Sequence, residues 1–345
     1  MLKPPFSPLF DQVEERLEEG DVVILATGDP LFYGIAEMVV KRFGHSMVRV
    51  VPNISYVQLA FARMGVSWQN AGFFSVHGRG LRGLLRAFTL AERYLFLFTD
   101  PENDPARIAS HLLDRQVEDV RVWVFSDLEG PGEKVAYFSP GEAACLHFAQ
   151  PNCVVLEKTR QVRPHPFIPD SNFMTVRGLL TKAPLRAMVL SLLSTDPGQV
   201  AWDVGAGSGA VSISLSPLVE TVYAVERHEG HLGLLMQNRN THGAWNVLPV
   251  KGEAPGVLKE LPNPRSVFVG AGGELLLDIL RTCWDRLEPK GVLVATVVTL
   301  KGRKSLLEWG KGEVFSLQLS RGELEASPGM MEPARPIWIL RAYKP

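Results

Sequence analysis

Apolar residues in this chain come in runs no longer than a strand, and helical patterns separate the runs. The longest are Val22–Ala26, Tyr94–Phe98 and Val292–Val298. None approaches the ~18 residues a membrane span needs, so the chain is expected to be cytoplasmic and to have no membrane partner. Between the runs, apolar residues recur at helical spacing: Leu31, Ile35, Met38 and Val39; Ile54, Val57, Phe61 and Met64; Leu185, Met188, Val189, Leu192 and Leu193. Repeated alternation of this kind predicts α/β units with largely parallel sheets. In the first half the expected strands are Asp21–Ala26, Val48–Val51, Tyr94–Phe98, Val120–Phe125 and Cys153–Leu156. In the second half they are Val200–Val204, Thr221–Val225, Val247–Val250, Val267–Gly270 and Val292–Thr299, with a helix near Glu274–Leu287.

The 345 residues are enough for about two domains. A composition break falls at Arg160-Gln-Val-Arg-Pro-His-Pro-Phe-Ile-Pro169, where three prolines in six residues can continue neither a helix nor a central strand. The expected division is therefore 1–160, a linker over 161–170, and 171–345. Lys plus Arg number 36 against 37 for Asp plus Glu, a net charge of −1, so no nucleic-acid partner is expected. Three cysteines without a CxxC exclude a disulfide framework and a zinc ribbon. Cys145 and Cys153 read as buried structural cysteines. The acidic N-terminus lacks the basic, then apolar, pattern of a secretory signal.

The strongest local signal is Asp203-Val-Gly-Ala-Gly-Ser-Gly209, followed by Glu226. Its glycines allow a tight strand-to-helix turn and close approach of the backbone to a ligand. A carboxylate at the end of the next strand is placed to grip a ribose diol. Both S-adenosylmethionine and nicotinamide dinucleotides carry that ribose. The acid ahead of the first glycine, and Gly252-Glu-Ala-Pro255 after the following strand, favour S-adenosylmethionine. Ala210 would also satisfy the dinucleotide pattern, so a nicotinamide-dependent reductase stays open. His228, His231 and His242 are expected to be solvated helix residues, and no metal site is expected.

Together with these motifs, Gly178-Leu-Leu-Thr-Lys-Ala-Pro-Leu-Arg186 and Val267-Phe-Val-Gly-Ala-Gly-Gly273 resemble the decarboxylating precorrin C15-methyltransferases. The resemblance covers 171–345 and implies a Rossmann-like class I methyltransferase. On it, Thr181, Gly205, Ala206, Gly207, Ser208, Gly209, Glu226 and Ala254 would bind S-adenosylmethionine. Gly270, Gly272 and Gly273, with Lys182, would face the substrate. For Lys182 and Arg186, substrate contact and an exposed helix face are equally open.

In the first half, Leu25-Ala-Thr-Gly-Asp-Pro-Leu-Phe-Tyr-Gly34, Val51-Pro-Asn-Ile-Ser-Tyr56, Gly72-Phe-Phe-Ser-Val-His-Gly78 and Phe98-Thr-Asp100 resemble the precorrin C5-methyltransferases of the tetrapyrrole methylase superfamily. There Gly28, Asp29 and Pro30 would help form a second S-adenosylmethionine cleft. From the residues alone, the same turn also reads as a plain strand–turn–helix cap on Asp29. Only twenty residues precede the Asp21 strand and none forms a glycine-rich loop, so this α/β domain is expected to lack the family's first strand. Arg79, Arg82 and Arg86 suit either substrate carboxylates or an exposed helix face. The whole chain is similar to the bifunctional precorrin C5,15-methyltransferases of cobalamin biosynthesis. The resemblance implies methylation of a precorrin or cobalt-precorrin at C5 and C15, with loss of the C12 acetate as carbon dioxide. An alternative is an active C15 half beside a first domain that only binds tetrapyrrole. No catalytic base is identifiable, and a homo-oligomer is expected.

Overall fold

The computed structural model describes residues 7–176, 180–270, 272–322 and 330–345. Gly178, Leu179 and Ala271 of the motifs lie outside the described residues.

The first half builds one five-stranded sheet in the order Gly72–Ser75, Tyr94–Phe98, Asn152–Lys158, Val120–Ser126, Lys134–Phe138. Only its first pair is parallel; the other three pairs are antiparallel. The expectation of largely parallel sheets therefore fails in this half. The two central strands are apolar on both faces. Leu95, Leu97, Val154 and Leu156 meet the helices Leu84–Leu90 and Pro105–Leu113. Phe96 and Val155 meet Tyr56–Met64. That last helix starts at a capping box between Ser55 and Gln58.

Two expected strands are not strands. Asp21–Ala26 and Val48–Val51 are extended but carry no ladder. Val23 and Leu25 are 81% and 87% exposed, while Val22, Ile24 and Ala26 are half-buried. The apolar run predicts a buried strand, but alternate residues of it face solvent. A strand also needs a neighbour to accept its backbone hydrogen bonds, and no described residue provides one.

The second half forms a seven-stranded sheet in the order Glu313–Leu317, Ile337–Tyr343, Val292–Val297, Ser266–Val269, Val200–Val204, Thr221–Glu226, Val247–Lys251. The five strands from Val292–Val297 to Val247–Lys251 are parallel. Ile337–Tyr343 is antiparallel to both of its neighbours. An inserted antiparallel strand departs from the all-parallel order of dinucleotide folds. Ala201, Val222 and Ala224 pack on one face with helices Ala183–Leu193 and Ala210–Leu215. Trp202, Val204 and Val225 pack on the other with Leu276–Arg286.

The halves share a buried seam. Trp245 of the second half lies within the core of the first, its ring 4.9 Å from that of Phe88. The Lys158 ammonium sits against both rings and donates to the carbonyls of Thr89, Ala91 and Val162. Burial lowers its pKa to about 7. Arg239 donates across the seam to the carbonyl of Arg115.

Candidate active site

The strand Val200–Val204 ends in a turn whose three glycines all have positive φ: 82° at Gly205, 56° at Gly207 and 83° at Gly209. Side chains rarely adopt this conformation. The turn is tied to the neighbouring strand, because the amides of Gly205 and Ala206 both donate to the carbonyl of Val225. One residue further on stands Glu226, 7% exposed. Its Oε2 accepts from the Gly207 amide at 2.9 Å, and its Oε1 accepts from the amides of Arg227 and His228 at 2.9 Å each. Glu226 thus clamps the glycine turn onto the start of the next helix.

This turn borders a cavity of about 1090 Å³. Thr181, Lys182, Gly205, Ala206, Gly207, Ser208, Glu226, Ala254, Gly270, Gly272 and Gly273 all line it. These residues come from five separate stretches of chain, and the topology collects them at one end of the parallel strands. Gly209 does not line it. A Cβ there would stand 2.9 Å from Leu235 Cγ, so this glycine serves close helix packing. Arg186 is withdrawn too. It is 1% exposed and donates to Asp170, Thr181 and Ile168, and so braces the turn that presents Thr181 and Lys182.

Two buried polar groups in the wall have unused capacity. Asp203 Oδ1 and Ser208 Oγ have no hydrogen-bond partner, while Asp203 Oδ2 accepts from Ser212. Burial raises the Asp203 carboxyl to about 6, and the nearby Glu226 charge adds to this. Above Gly207 a Cβ would meet nothing within 4 Å, so backbone here faces open space. A cradle with orphaned acceptors and bare backbone fits a polar, partly cationic ligand with a ribose.

Several lining residues escaped sequence reasoning. His228 and His231 border the cavity with their rings 5.4 Å apart, and His231 Nδ1 lies 3.8 Å from Glu226. His242 points elsewhere, to the carbonyl of Asn172. No cluster among the described residues could hold a metal ion. Leu319, Ala334 and Ile337 come from the far C-terminal segments, only Ile337 within a strand, and carry no local signal.

In the first half, the four motif segments meet. A Cβ on Gly28 would lie 3.8 Å from the carbonyl oxygen of Ile54. The Phe32 ring packs on Phe73 and Phe98, and the Tyr33 hydroxyl donates to the carbonyl of Phe73. Burial would raise the Asp100 carboxyl, but amide donation from Gly78, Glu102 and Asn103 holds it below the usual range. Asp29 accepts from the Leu31 amide, yet the helix starts only at Ala36, so Asp29 is not its N-cap. Gly28, Asp29 and Pro30 do not line the 1090 Å³ cavity. Of Cys145 and Cys153, the first is exposed and the second buried, which corrects the expectation that both are buried. No helix among the described residues is long and apolar enough to cross a membrane.

The fold and the glycine-turn cavity define a Rossmann-like methyltransferase. Residues 172–344 match the precorrin methyltransferase domain, and residues 9–144 match the tetrapyrrole (corrin/porphyrin) methylases. The chain is 29% identical to the precorrin-6Y C(5,15)-methyltransferase [decarboxylating] of a Sinorhizobium species, over 96% of this chain and 82% of that protein. It is 30% identical to the Mycobacterium tuberculosis protein of the same name, over 87% and 76%. A shorter relative from Pyrobaculum calidifontis, described as a probable cobalt-precorrin-6B C(15)-methyltransferase (decarboxylating), is 38% identical over 52% of this chain and 96% of its own length. The chain belongs to the decarboxylating precorrin C5,15-methyltransferase family.

Proposed function

We propose that this chain uses S-adenosylmethionine to methylate a precorrin or cobalt-precorrin at C5 and C15, and that the C15 reaction releases the C12 acetate as carbon dioxide. The reading assigns C5 to residues 1–160 and C15 to residues 171–345, joined by 161–170. It is carried by one observation: a cavity that gathers the glycine turn, Glu226 and the Gly270–Gly273 strand end within the precorrin methyltransferase match. At about 1090 Å³ the cavity exceeds the usual ~300–1,000 Å³ of a single-ligand pocket, leaving room for cofactor and part of a substrate.

Bound S-adenosylmethionine supplies a methyl already activated on a cationic sulfur. The chain's residues therefore have to place and shield, with little acid–base work. Glu226 Oε2, which accepts one amide, keeps accepting capacity for a ribose hydroxyl, while the two amides on Oε1 hold the carboxylate in register. Gly207 lets backbone approach the ligand, and Asp203 offers its free oxygen to cationic groups. Lys182, on the rim, is placed for substrate carboxylates.

Mass spectrometry of the product from a precorrin-6 substrate tests the assignment. Gly207→Val should give a single methylation without loss of carbon dioxide. Asp29→Ala should spare decarboxylation and remove the other methyl. Decarboxylation by Gly207→Val would overturn the C15 assignment. No C5 methylation by the unaltered chain would leave the first half as a tetrapyrrole-binding module.

A further inference from the structure

The arginine run Arg79, Arg82, Arg86 does not line the 1090 Å³ cavity. The structure splits it. Arg79 lies over the Tyr33 ring, 5.9 Å from its centroid. Arg82 and Arg86 instead face the seam between the halves. There a separate notch of about 130 Å³ is lined by Arg82, Arg86, His111, Arg115, Glu220 and Leu248, among others. Residues of both halves form its walls.

The charges in this notch do not balance. Arg82 Nε is paired with Glu220 at 2.9 Å. Arg115 has only Asp114, at 3.9 Å on its outer side. Among the described residues Arg86 has no hydrogen bond or ion pair, and its Nε is buried without a partner. Glu220 and Asp196 act on it only through space, and burial pushes its pKa down. Burial also pushes His111 down to about 4, so it is neutral at neutral pH. Three guanidiniums thus share one close carboxylate. Leaving a part-buried guanidinium unpaired costs free energy that water recovers poorly and an anion recovers well. The volume suits a few waters or one compact oxyanion, and is far below that of a nucleotide pocket.

We infer that the notch is an oxyanion site, taking one phosphate- or carboxylate-class group between Arg82, Arg86 and Arg115. It is separate from the methylation cavity. Thr221 at the notch and Glu226 at the cavity mark opposite ends of one strand, five steps of ~3.3 Å or about 17 Å apart. Because both halves supply its walls, an anion bound here favours their docked arrangement. The anion is either a free inorganic oxyanion or a carboxylate arm of a tetrapyrrole. Only the second source rests on the proposed function.

Thermal unfolding and calorimetry of the full chain at constant ionic strength test this. About 10 mM inorganic phosphate should raise the melting temperature by a few degrees over matched chloride. Arg86→Met should weaken phosphate binding at least tenfold, Arg115→Gln should weaken it too, and Arg86→Lys should retain part of it. S-adenosylmethionine affinity should not change in any of these variants, which also checks that they fold. If the arm is the source, phosphate has no effect, and uroporphyrin, an octacarboxylate tetrapyrrole, should bind more weakly to Arg86→Met. An equal phosphate effect on Arg86→Met and the unaltered chain would overturn the site. So would phosphate having no effect together with unchanged uroporphyrin binding.

Discussion

Glu226 has two duties that a single substitution removes together. Its carboxylate accepts three backbone amides, and under the proposed function it also holds the ribose. Hydrogen bonds to a charged group contribute ~1.5–3 kcal/mol each. Glu226→Ala should therefore lower S-adenosylmethionine affinity tenfold or more in a calorimetric titration. It should also lower the melting temperature, because the turn loses its clamp. An unchanged dissociation constant would show that the acid is not at the ribose. Asp203 makes a separate prediction. Burial raises its folded pKa to about 6, above the ordinary value of 3.8. The protonated form is favoured in the fold, so its contribution to stability is present below about pH 4 and is lost as pH rises through 6. Asp203→Asn removes that titration and should be more stable than the native chain at pH 8, by on the order of 3 kcal/mol, with little difference at pH 4. Denaturant titrations at the two pH values measure it, and a difference that does not change with pH would contradict the buried-acid account.

At the scale of elements, hydrogen-bond pairing decides what apolar pattern leaves open. Val22–Ala26 and Val200–Val204 look alike as sequence, short apolar runs ending in a glycine turn. Val200–Val204 lies between two parallel neighbours, and its amides are in ladders. Val22–Ala26 has no ladder. Hydrogen exchange should therefore separate them by orders of magnitude in protection, with Val22–Ala26 and Val48–Val51 exchanging at near-loop rates. Slow exchange there would mean that these segments pair in solution with something outside the described residues. The Arg186 helix gives a parallel case. Helical spacing left Arg186 open between substrate contact and an exposed face, but the carbonyls of Ile168 and Thr181 draw it inward to neither.

For the whole molecule, the seam is the main determinant of behaviour. Trp245 is 1% exposed only because the first half covers it, and Lys158 and Arg239 are buried at the same joint. A fragment of residues 165–345 should fold and bind S-adenosylmethionine in preference to NADH, since its sheet and cavity are complete in themselves. It should melt several degrees below the full chain, because separation exposes the indole and removes the seam's hydrogen bonds. Trp245 fluorescence should shift to the red. An unfolded fragment, or one that prefers NADH, would contradict this.

The α/β class, the glycine turn and its strand-end carboxylate were legible from residues alone. Glycine spacing and the strand-end carboxylate are local chemistry, set within a few residues of chain. Glu226 could be named for that reason, whereas Thr181, Ala254 and Gly270 were named through the family resemblance of their motifs. Other features depend on which elements become neighbours. The antiparallel first sheet, the unpaired Asp21–Ala26 segment, the inward turn of Arg186 and the C-terminal lining by Leu319 and Ile337 are of this kind. The arginine run shows the boundary most plainly. Its helical spacing allowed either carboxylate contacts or a solvated face, and packing the two halves together placed one residue on a tyrosine and the other two in a shared notch. Long-range contacts carry no short-range sequence signal, so only the tertiary structure could decide them.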